Sequence, residues 1–275
     1  MTFLFPSSLS IVVEMSQKAE EKSFFSSLGH DVIAGAISGF TVGPIVSSVD
    51  RALAENASGR CTLMKSFMNS MTEFVKHPIR FFKSPAFRYI WMVYGSTYVA
   101  ANIADSYGER VNKDIGFAKW LLTSTVNTST CLIKDRAYAK LFGTSAPTHV
   151  PMGSYLVWAS RDILSMGVIF TMPPVVAREV AKVTGDEKLA YYSAQFALPL
   201  LLQTVSTPLH LLGFDIYNNP HNTVGQRLTF LKKDYHKNVA FRMARMIAPW
   251  SLGTIGNKEL RGFFKKQHEI AMANL

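Results

Sequence analysis

Two adjacent residues of opposite charge interrupt a long apolar stretch in the middle of the chain. Arg161 and Asp162 lie between one run without formal charge at 141–160 and another at 163–177. Ionisable residues inside a membrane face the protein interior or a cavity, and they usually serve a functional site. A guanidinium binds a carboxylate through two parallel hydrogen bonds, so this pair predicts a solute-binding site. The alternative is a structural ion pair that fixes helix register.

Three further residues are candidates for the same site. Arg245 offers a second carboxylate contact; the alternative is that it ends a basic loop at the membrane interface. Tyr94 and Asn102 share one helical stripe with Trp91 and Tyr98, because spacings of three and four residues place side chains on one face. Such a stripe either lines a cavity or packs against a neighbouring helix. We predict that Tyr94, Asn102 and Arg245 bind substrate, with helix packing as the alternative for the stripe.

Other chemistries have no support in the sequence. It contains no glycine-rich phosphate loop and no serine nucleophile elbow. Cys61 and Cys131 are far apart in the chain, so neither a zinc cluster nor a disulfide framework is predicted. We therefore expect a protein that is not an enzyme and that uses no metal and no cofactor.

The positive charge indicates a membrane surface as a partner. The net charge of +10 is spread over the loops between apolar runs. Nucleic-acid-binding proteins collect basic residues on one face or along one helix, so we predict no nucleic-acid partner. Dispersed loop charge fits anionic lipid headgroups, where each Lys or Arg contributes about 1 kcal/mol.

The apolar runs around the candidate residues indicate the fold. Hydrophobic residues make up 48% of the chain and charged residues 17%, and no run alternates like a strand. A membrane span needs about 20 apolar residues, and shorter runs suffice when flanking Lys and Arg reach the interface. The sequence predicts an all-α membrane protein with six transmembrane helices, at about 28–51, 87–107, 117–140, 154–180, 189–217 and 240–263.

One pattern occurs three times: a Pro or Ser is followed six or seven residues later by an acid. The copies are Pro44 with Asp50 and Arg51, Ser129 with Asp135 and Arg136, and Pro208 with Asp215. They are 85 (44 to 129) and 79 (129 to 208) residues apart, and self-similarity at a long period indicates a repeat architecture. We predict three tandem two-helix repeats, at about 28–110, 117–182 and 189–264, in one domain (28–275) that follows an N-terminal extension (1–27).

Prolines inside the predicted helices should bend them. A proline removes one backbone donor, and its ring clashes with the preceding turn. We predict kinks at Pro44 and Pro208, and another at the adjacent Pro173 and Pro174.

Loop charge supports six crossings. If the helices cross alternately, segments 51–88, 134–153 and 215–245 lie on one side and together carry a net charge of +11, whereas the segments on the other side sum to zero. Basic loops mark the side that is not translocated. The charge distribution therefore agrees with a multi-pass topology.

These features resemble the mitochondrial carrier family over most of the chain, from about Gly29 to Phe264. The run from Ser160 to Phe170 is similar to the Arg-Asp-x-Pro run on the fourth helix of carriers, and Phe241 to Trp250 looks like the start of their sixth helix. The resemblance implies the carrier fold and an inner mitochondrial membrane location. Arg161 followed by Asp162 at this place also resembles the contact point that carriers use for amino-acid-like or zwitterionic substrates.

The resemblance fails at one motif. Carriers end each odd-numbered helix with Pro-x-acid-x-x-base, whose charges form a ring that closes one side, and no copy here keeps that spacing. We predict a substitute gate one turn lower. In this gate Asp50 pairs with Arg51, Asp135 pairs with Arg136, and Asp215 takes a partner such as Arg136.

Two functions follow from this interpretation. The first is a solute carrier that moves a small carboxylate-bearing or zwitterionic metabolite by alternating access, with its site built on Arg161, Asp162 and Arg245. The second is a structural subunit that no longer transports and packs against a larger membrane complex. The altered gate favours the second, and the buried charges favour the first. We rank transport first by analogy with the family.

Overall fold

A computed structural model describes residues 8–144 and 149–273 of the chain. Within these ranges the chain is helical and contains no strand, as predicted. The helices in chain order are α1 (Ser8–Ala57), α2 (Leu63–Lys76), α3 (Pro78–Lys83), α4 (Pro85–Val111), α5 (Gly116–Phe142), α6 (Met152–Thr184), α7 (Glu187–Asn218), α8 (Val224–Lys232), α9 (Tyr235–Ala248), a π-helical segment (Pro249–Ile255) and α10 (Gly256–Ala273).

The long helices lie where the apolar runs predict them. They are α1, α4, α5, α6, α7 and the continuous stretch from α9 through the π-helical segment to α10. The first helix begins at Ser8 and not near residue 28, so the described part of the predicted N-terminal extension belongs to α1. Residues 1–7 of that extension, and 145–148 of the second loop, lie outside the described residues.

Local signals in the sequence explain several helix ends. Ser84 accepts a hydrogen bond from the Phe87 amide and precedes Pro85, so it starts α4. Asp186 caps α7 in the same way through the Leu189 amide. Gly185 ends α6 with a φ of 70°, a left-handed conformation that glycine adopts without strain. These local signals fix where α4 and α7 begin and where α6 ends.

The long helices close a ring. Each contacts the next in chain order, and the composite last helix (α9, π-helical segment and α10) packs back on α1. Helices α1 and α4 run antiparallel, since Trp91 of α4 binds Ala36 of α1 while Asn102 of α4 binds Asp31 of α1. Helices α1, α5 and α7 also contact one another, so these three helices surround the centre of the ring.

Small residues allow two of the helix pairs to pack closely. Gly35, Gly39 and Gly43 recur at every fourth position of α1, and a Cβ at any of them would overlap atoms of α4. Gly213 of α7 in the same way accommodates the indole of Trp158 on α6. Small residues at helix interfaces let backbones approach closely in membranes. This packing explains why glycine is frequent inside these helices.

The two ends of the ring differ in composition. One end carries the short helices α2, α3 and α8, which lie in the predicted basic segments, and we call it the basic end. The other end carries the short connections 112–115 and 185–186, and we call it the opposite end. Helix α2 exposes Met64, Met68 and Val75 at the basic end.

Length and composition mark fewer membrane spans than the sequence predicts. In the described chain, Phe25–Ala57 and Glu187–Asn218 qualify, and Met152–Ile169 with Met172–Thr184 forms a third span if this bent pair counts as one. The prediction of six spans in three repeats is therefore not confirmed. The physical reason is that the remaining long helices carry polar residues that the ring buries, including Asn102 and Lys134.

Only one of the predicted kinks coincides with a break between spans. Helix α6 bends by 43° between Ile169 and Met172, and Pro173 explains this bend because it leaves the carbonyl of Ile169 without its backbone donor. Helices α1 and α7 continue through Pro44 and Pro208 as single spans.

Candidate functional site

Six charged residues from four helices form one connected chain of ion pairs inside the ring. In order they are Arg245, Asp50, Lys134, Asp135, Arg161 and Asp162, and we call them the central charged cluster. Successive nitrogen–oxygen distances are 2.5, 2.8, 2.9, 2.8 and 2.7 Å. The cluster joins α9, α1, α5 and α6. It therefore links helices that are distant in the sequence.

Burial makes this arrangement energetically demanding. Asp50 and Asp135 are 1% and 0% exposed, and Lys134 is 4% exposed. Removing a charge from water costs several kcal/mol, and only close opposite charges with further hydrogen bonds offset that cost. Lys134 meets the requirement by bridging Asp50 and Asp135. The cluster is therefore stable as a unit and sensitive to the loss of one member.

Three groups beside this chain have unused hydrogen-bonding capacity. The buried guanidinium of Arg242 donates to the neutral Gln203 Oε1 at 3.1 Å and Ser206 Oγ at 3.4 Å. Within the described ranges no carboxylate oxygen lies within 4.0 Å of it. Asp162 Oδ2 and Arg245 Nε are buried and have no hydrogen-bond partner in the part of the chain that the structure describes. The site therefore offers free donors for an anion and a free carboxylate oxygen for a cation.

A cavity of about 160 Å³ lies against these groups. The charged residues that line it are Asp50, Lys134, Arg161, Asp162, Arg242 and Arg245. Neutral side chains complete the wall, among them Tyr94, Asn127, Ser165, Met166 and Ile169. Pockets for drug-sized ligands hold about 300–1,000 Å³. The central cavity is therefore suited to a small solute.

His210 positions the Arg161 guanidinium in this wall. Its Nδ1 lies 2.5 Å from Arg161 Nη1 and accepts a hydrogen bond, because arginine can only donate. The imidazole is therefore neutral here, since a protonated ring would place two cations in contact. Trp158 donates its indole N–H to the His210 carbonyl at 3.2 Å. Together these contacts hold α6 and α7 in register at the site.

Four of the five predicted substrate-binding residues line the cavity. They are Arg161, Asp162, Arg245 and Tyr94. Asn102 does not line it, because its amide forms a reciprocal pair with Asn257 of α10 at 2.9 and 2.7 Å. It lies eight positions beyond Tyr94 on α4, which is roughly 12 Å along the helix axis. The prediction places the stripe on one face of α4. Its members lie at different positions along the helix axis, so only part of the stripe reaches the cavity.

The predicted gate residues have other partners in the structure. Arg51 binds Glu55 and Glu73 at the basic end and does not bind Asp50. Asp215 binds Arg227 of α8 at 2.5 Å and does not bind Arg136, which is exposed. The reason is that cations of the central charged cluster already bind the two buried acids: Lys134 and Arg245 bind Asp50, and Lys134 and Arg161 bind Asp135.

Sequence reasoning missed several residues that complete the site. The predicted basic segment 134–153 begins at Lys134, although the adjacent pair Lys134 and Asp135 has the same form as Arg161 and Asp162. Arg242 lies at the start of the predicted helix 240–263 and is not among the predicted site residues. Its spacing of three from Arg245 was an available signal, because that spacing places both on one face of α9. Gln203 and Asn127 carried no distinguishing pattern.

A second polar network lies toward the opposite end of the ring. Arg261 of α10 binds Asp31 at 2.9 Å and Glu109 at 3.1 Å, and Ser106 donates to the second Asp31 carboxylate oxygen. We call Asp31, Asn102, Ser106, Glu109, Asn257 and Arg261 the outer network. It joins α1, α4 and α10, and both carboxylate oxygens of its buried acid, Asp31, have partners.

An open cavity of about 680 Å³ lies beside the outer network, between α4, α5 and α10. Thr97 lines this cavity and accepts a hydrogen bond at 3.2 Å from Asn127, which lines the central cavity. The Thr97–Asn127 pair therefore lies between the two cavities. Among the residues that the structure describes, no group of three His, Cys, Asp or Glu side chains could hold a metal ion.

Comparison with known proteins identifies the family of the chain. A family model described as "Probable citrulline exporter" matches residues 34–265, which include both cavities and all members of the central charged cluster. Searches of curated proteins and of solved structures returned no match. The resemblance to mitochondrial carriers is therefore wrong as an assignment, because the matching family is a different one. With the apolar helices, the match indicates a multi-pass membrane protein.

Proposed function

The chain belongs to the family described as probable citrulline exporters, and from this membership and the central cavity we propose that it transports a zwitterionic amino acid of the citrulline type. It acts as a transporter and not as an enzyme, and membrane lipid surrounds it. The observation that carries the proposal is the pair of unfilled groups in one small cavity, Arg242 and Asp162 Oδ2. A zwitterion supplies a carboxylate for Arg242 and an ammonium for Asp162 Oδ2. Because its own net charge is zero, its binding leaves the net charge of the cavity unchanged.

Each end of the backbone of an amino acid has a partner in this arrangement. The carboxylate binds the Arg242 guanidinium, which has no carboxylate partner within the described ranges. The ammonium binds Asp162 Oδ2, while Asp162 Oδ1 stays on Arg161 at 2.7 Å. A site built to bind polar groups rejects molecules that lack them, since its buried groups are then left unpaired. This gives selectivity for the zwitterionic head.

We further propose six membrane-spanning helices, with the three less apolar ones shielded from lipid by their neighbours in the ring. Access alternates between the two ends: the central charged cluster closes the basic end, and the open cavity beside the outer network leads inward from the opposite end. A membrane protein that carries buried charges places them in its interior. The predicted inner mitochondrial location depended on the carrier resemblance, and it stays a prediction that membrane fractionation tests.

Uptake into liposomes tests the proposed function. The purified chain is reconstituted in vesicles loaded with unlabelled L-citrulline, and entry of labelled L-citrulline is followed. We expect Arg242→Gln to reduce the initial rate at least tenfold, because the carboxylate loses its cationic partner. Arg178→Gln is the matched control, since Arg178 is exposed at the end of α6 and lies outside the central cavity. Equal rates for the two variants would contradict the proposed site.

The structural-subunit alternative predicts a different result. In that case wild-type vesicles take up none of a panel of amino acids and organic acids, and the chain co-purifies with a fixed membrane complex. Uptake of an organic acid that lacks an amine, in preference to L-citrulline, would assign a different substrate class. The uptake outcomes are measured with the same vesicles, and co-purification is measured on detergent-solubilised native membranes.

A further inference from the structure

The central cavity has a charged half and a neutral half, and the two halves offer a solute different groups to bind. On α5, Lys134 lies at the charged half and Asn127 at the neutral half; on α6, Asp162 and Ile169 occupy the same two positions. Seven residues separate the members of each pair, which corresponds to roughly 10 Å along a helix axis. This is the length of an extended amino acid with a long side chain. The side chain therefore ends near Asn127.

Acidic groups are confined to the charged half. The acids that line the described cavity are Asp50 and Asp162. Both oxygens of Asp50 are already bound, by Lys134 and Arg245. A cationic side-chain tip at the neutral half would have no opposite charge, and burying an unpaired charge is costly. The cavity therefore disfavours amino acids whose side chain ends in an ammonium or a guanidinium.

Two amides line the cavity, Asn127 and Gln203. The Gln203 amide is already engaged, because its Oε1 accepts from Arg242 and Ser206 and its Nε2 donates to the Pro199 carbonyl, so Asn127 is the amide available to a neutral tip. Its Nδ2 donates to Thr97 at 3.2 Å, which leaves the second amide hydrogen available. Among the residues that the structure describes, the one contact of its Oδ1 is a long one of 3.7 Å from the Cys131 thiol, a weak donor. Nearby Ser165 already donates to the Arg161 carbonyl at 2.7 Å, and Met166 and Ile169 offer no hydrogen bond. The Asn127 amide thus has one free donor and an acceptor that is nearly free.

We infer that Asn127 is the specificity-determining residue of this transporter and that it selects amino acids with a neutral amide or ureido tip over those with a cationic tip. The inference rests on the proposed function and adds the residue that distinguishes citrulline from ornithine. A ureido group presents N–H donors and a carbonyl acceptor, so it can bind both the free N–H donor and the amide oxygen of Asn127. An ammonium tip presents donors only and carries a charge that the neutral half does not balance.

Exchanging the amide for a carboxylate tests the inference. We expect Asn127→Asp to shift the ratio of L-citrulline to L-ornithine uptake at least tenfold toward L-ornithine, because the carboxylate supplies the missing opposite charge. Asn127→Leu should lose L-citrulline uptake at least tenfold without gaining L-ornithine uptake. Asn112→Asp makes the same chemical change at an exposed position that ends α4, and it should leave the ratio unchanged.

The outcomes separate the inference from the function that it rests on. If wild-type vesicles prefer L-citrulline and Asn127→Asp keeps that preference while its thermal unfolding matches wild type, the inference is overturned and the proposed function stands. If wild-type vesicles take up no amino acid at all, both are overturned. If Asn127→Asp fails to fold, Asn127→Leu decides: retained L-citrulline uptake overturns the inference, and loss without gain supports it.

Discussion

The central charged cluster and the outer network contain similar residues and differ in how completely those residues are paired. In the outer network, both oxygens of buried Asp31 are bound, and the amides of Asn102 and Asn257 satisfy each other. Beside the central cluster, the partners of Arg242 among the described residues are neutral, and Asp162 keeps one oxygen free there. Complete pairing marks a structural joint, and incomplete pairing next to a cavity marks a binding site.

The two regions also differ in what they connect. The outer network joins α1, α4 and α10, which are neighbours in the ring. The central cluster joins α9, α1, α5 and α6, so it crosses the centre. A polar group that is left unsatisfied in a buried position costs about 1–3 kcal/mol, and more when it is charged. The free groups of the central region are therefore expensive in the empty state, and a bound solute relieves that cost.

Removing Lys134 should have the largest effect on stability. Lys134→Met leaves two buried acids, Asp50 and Asp135, with one cationic partner fewer each. Breaking a buried pair by deleting one partner costs about 3–5 kcal/mol, and we expect a loss of that size in the free energy of unfolding, measured by SDS titration. Lys182→Met is the control, because its ion pair with Glu179 is 68% exposed on both sides and should contribute less than about 1 kcal/mol. Equal losses would mean that the central cluster is solvated.

Removing Arg261 should have an intermediate effect. Arg261→Met deprives Asp31 of its cation, but the Arg261 side chain is 20% exposed and Ser106 still binds Asp31. Water and the remaining hydrogen bond should limit the loss to about 1–3 kcal/mol. A double-mutant cycle with Asp31→Asn measures the coupling by the same titration. A loss larger than that of Lys134→Met would reverse the comparison between the two regions.

The helices could be predicted because their signal is local. Runs without charge, bounded by charged residues, located the long helices, and the isolation of Arg161 and Asp162 in such a run identified two members of the cavity wall. Arg242 was not predicted to line the cavity, because basic residues are frequent in the segment before it and such a segment is typical of a loop. In the structure α9 already begins at Tyr235, so Arg242 lies one to two turns inside a helix.

The pairings could not be predicted because they depend on helix rotation and depth. Asp50 binds Lys134 only because α1 and α5 turn those faces toward each other, and no spacing within either helix records this. Asn102 shares a stripe with Tyr94 but lies two turns closer to the opposite end, where it binds Asn257. The family resemblance was wrong for a related reason: apolar helices with prolines and charged ends are common to unrelated membrane proteins. Such helices do not specify one family.

Arg242 gives the smallest expected effect on stability and the sharpest contrast with Lys134. Arg242→Met removes hydrogen bonds to neutral Gln203 and Ser206, but it also removes a buried charge that has no carboxylate partner in the described chain. These terms oppose each other, so the free energy of unfolding should change by less than about 1 kcal/mol.

L-citrulline at 100 times its dissociation constant stabilises a protein that binds it by about 2.7 kcal/mol. Thermal unfolding should therefore show this stabilisation in the wild-type protein and a clearly smaller one in the variant at the same L-citrulline concentration. A variant that unfolds as readily as Lys134→Met would show instead that Arg242 is a structural cation, and the distinction between paired and unpaired regions would no longer mark the binding site.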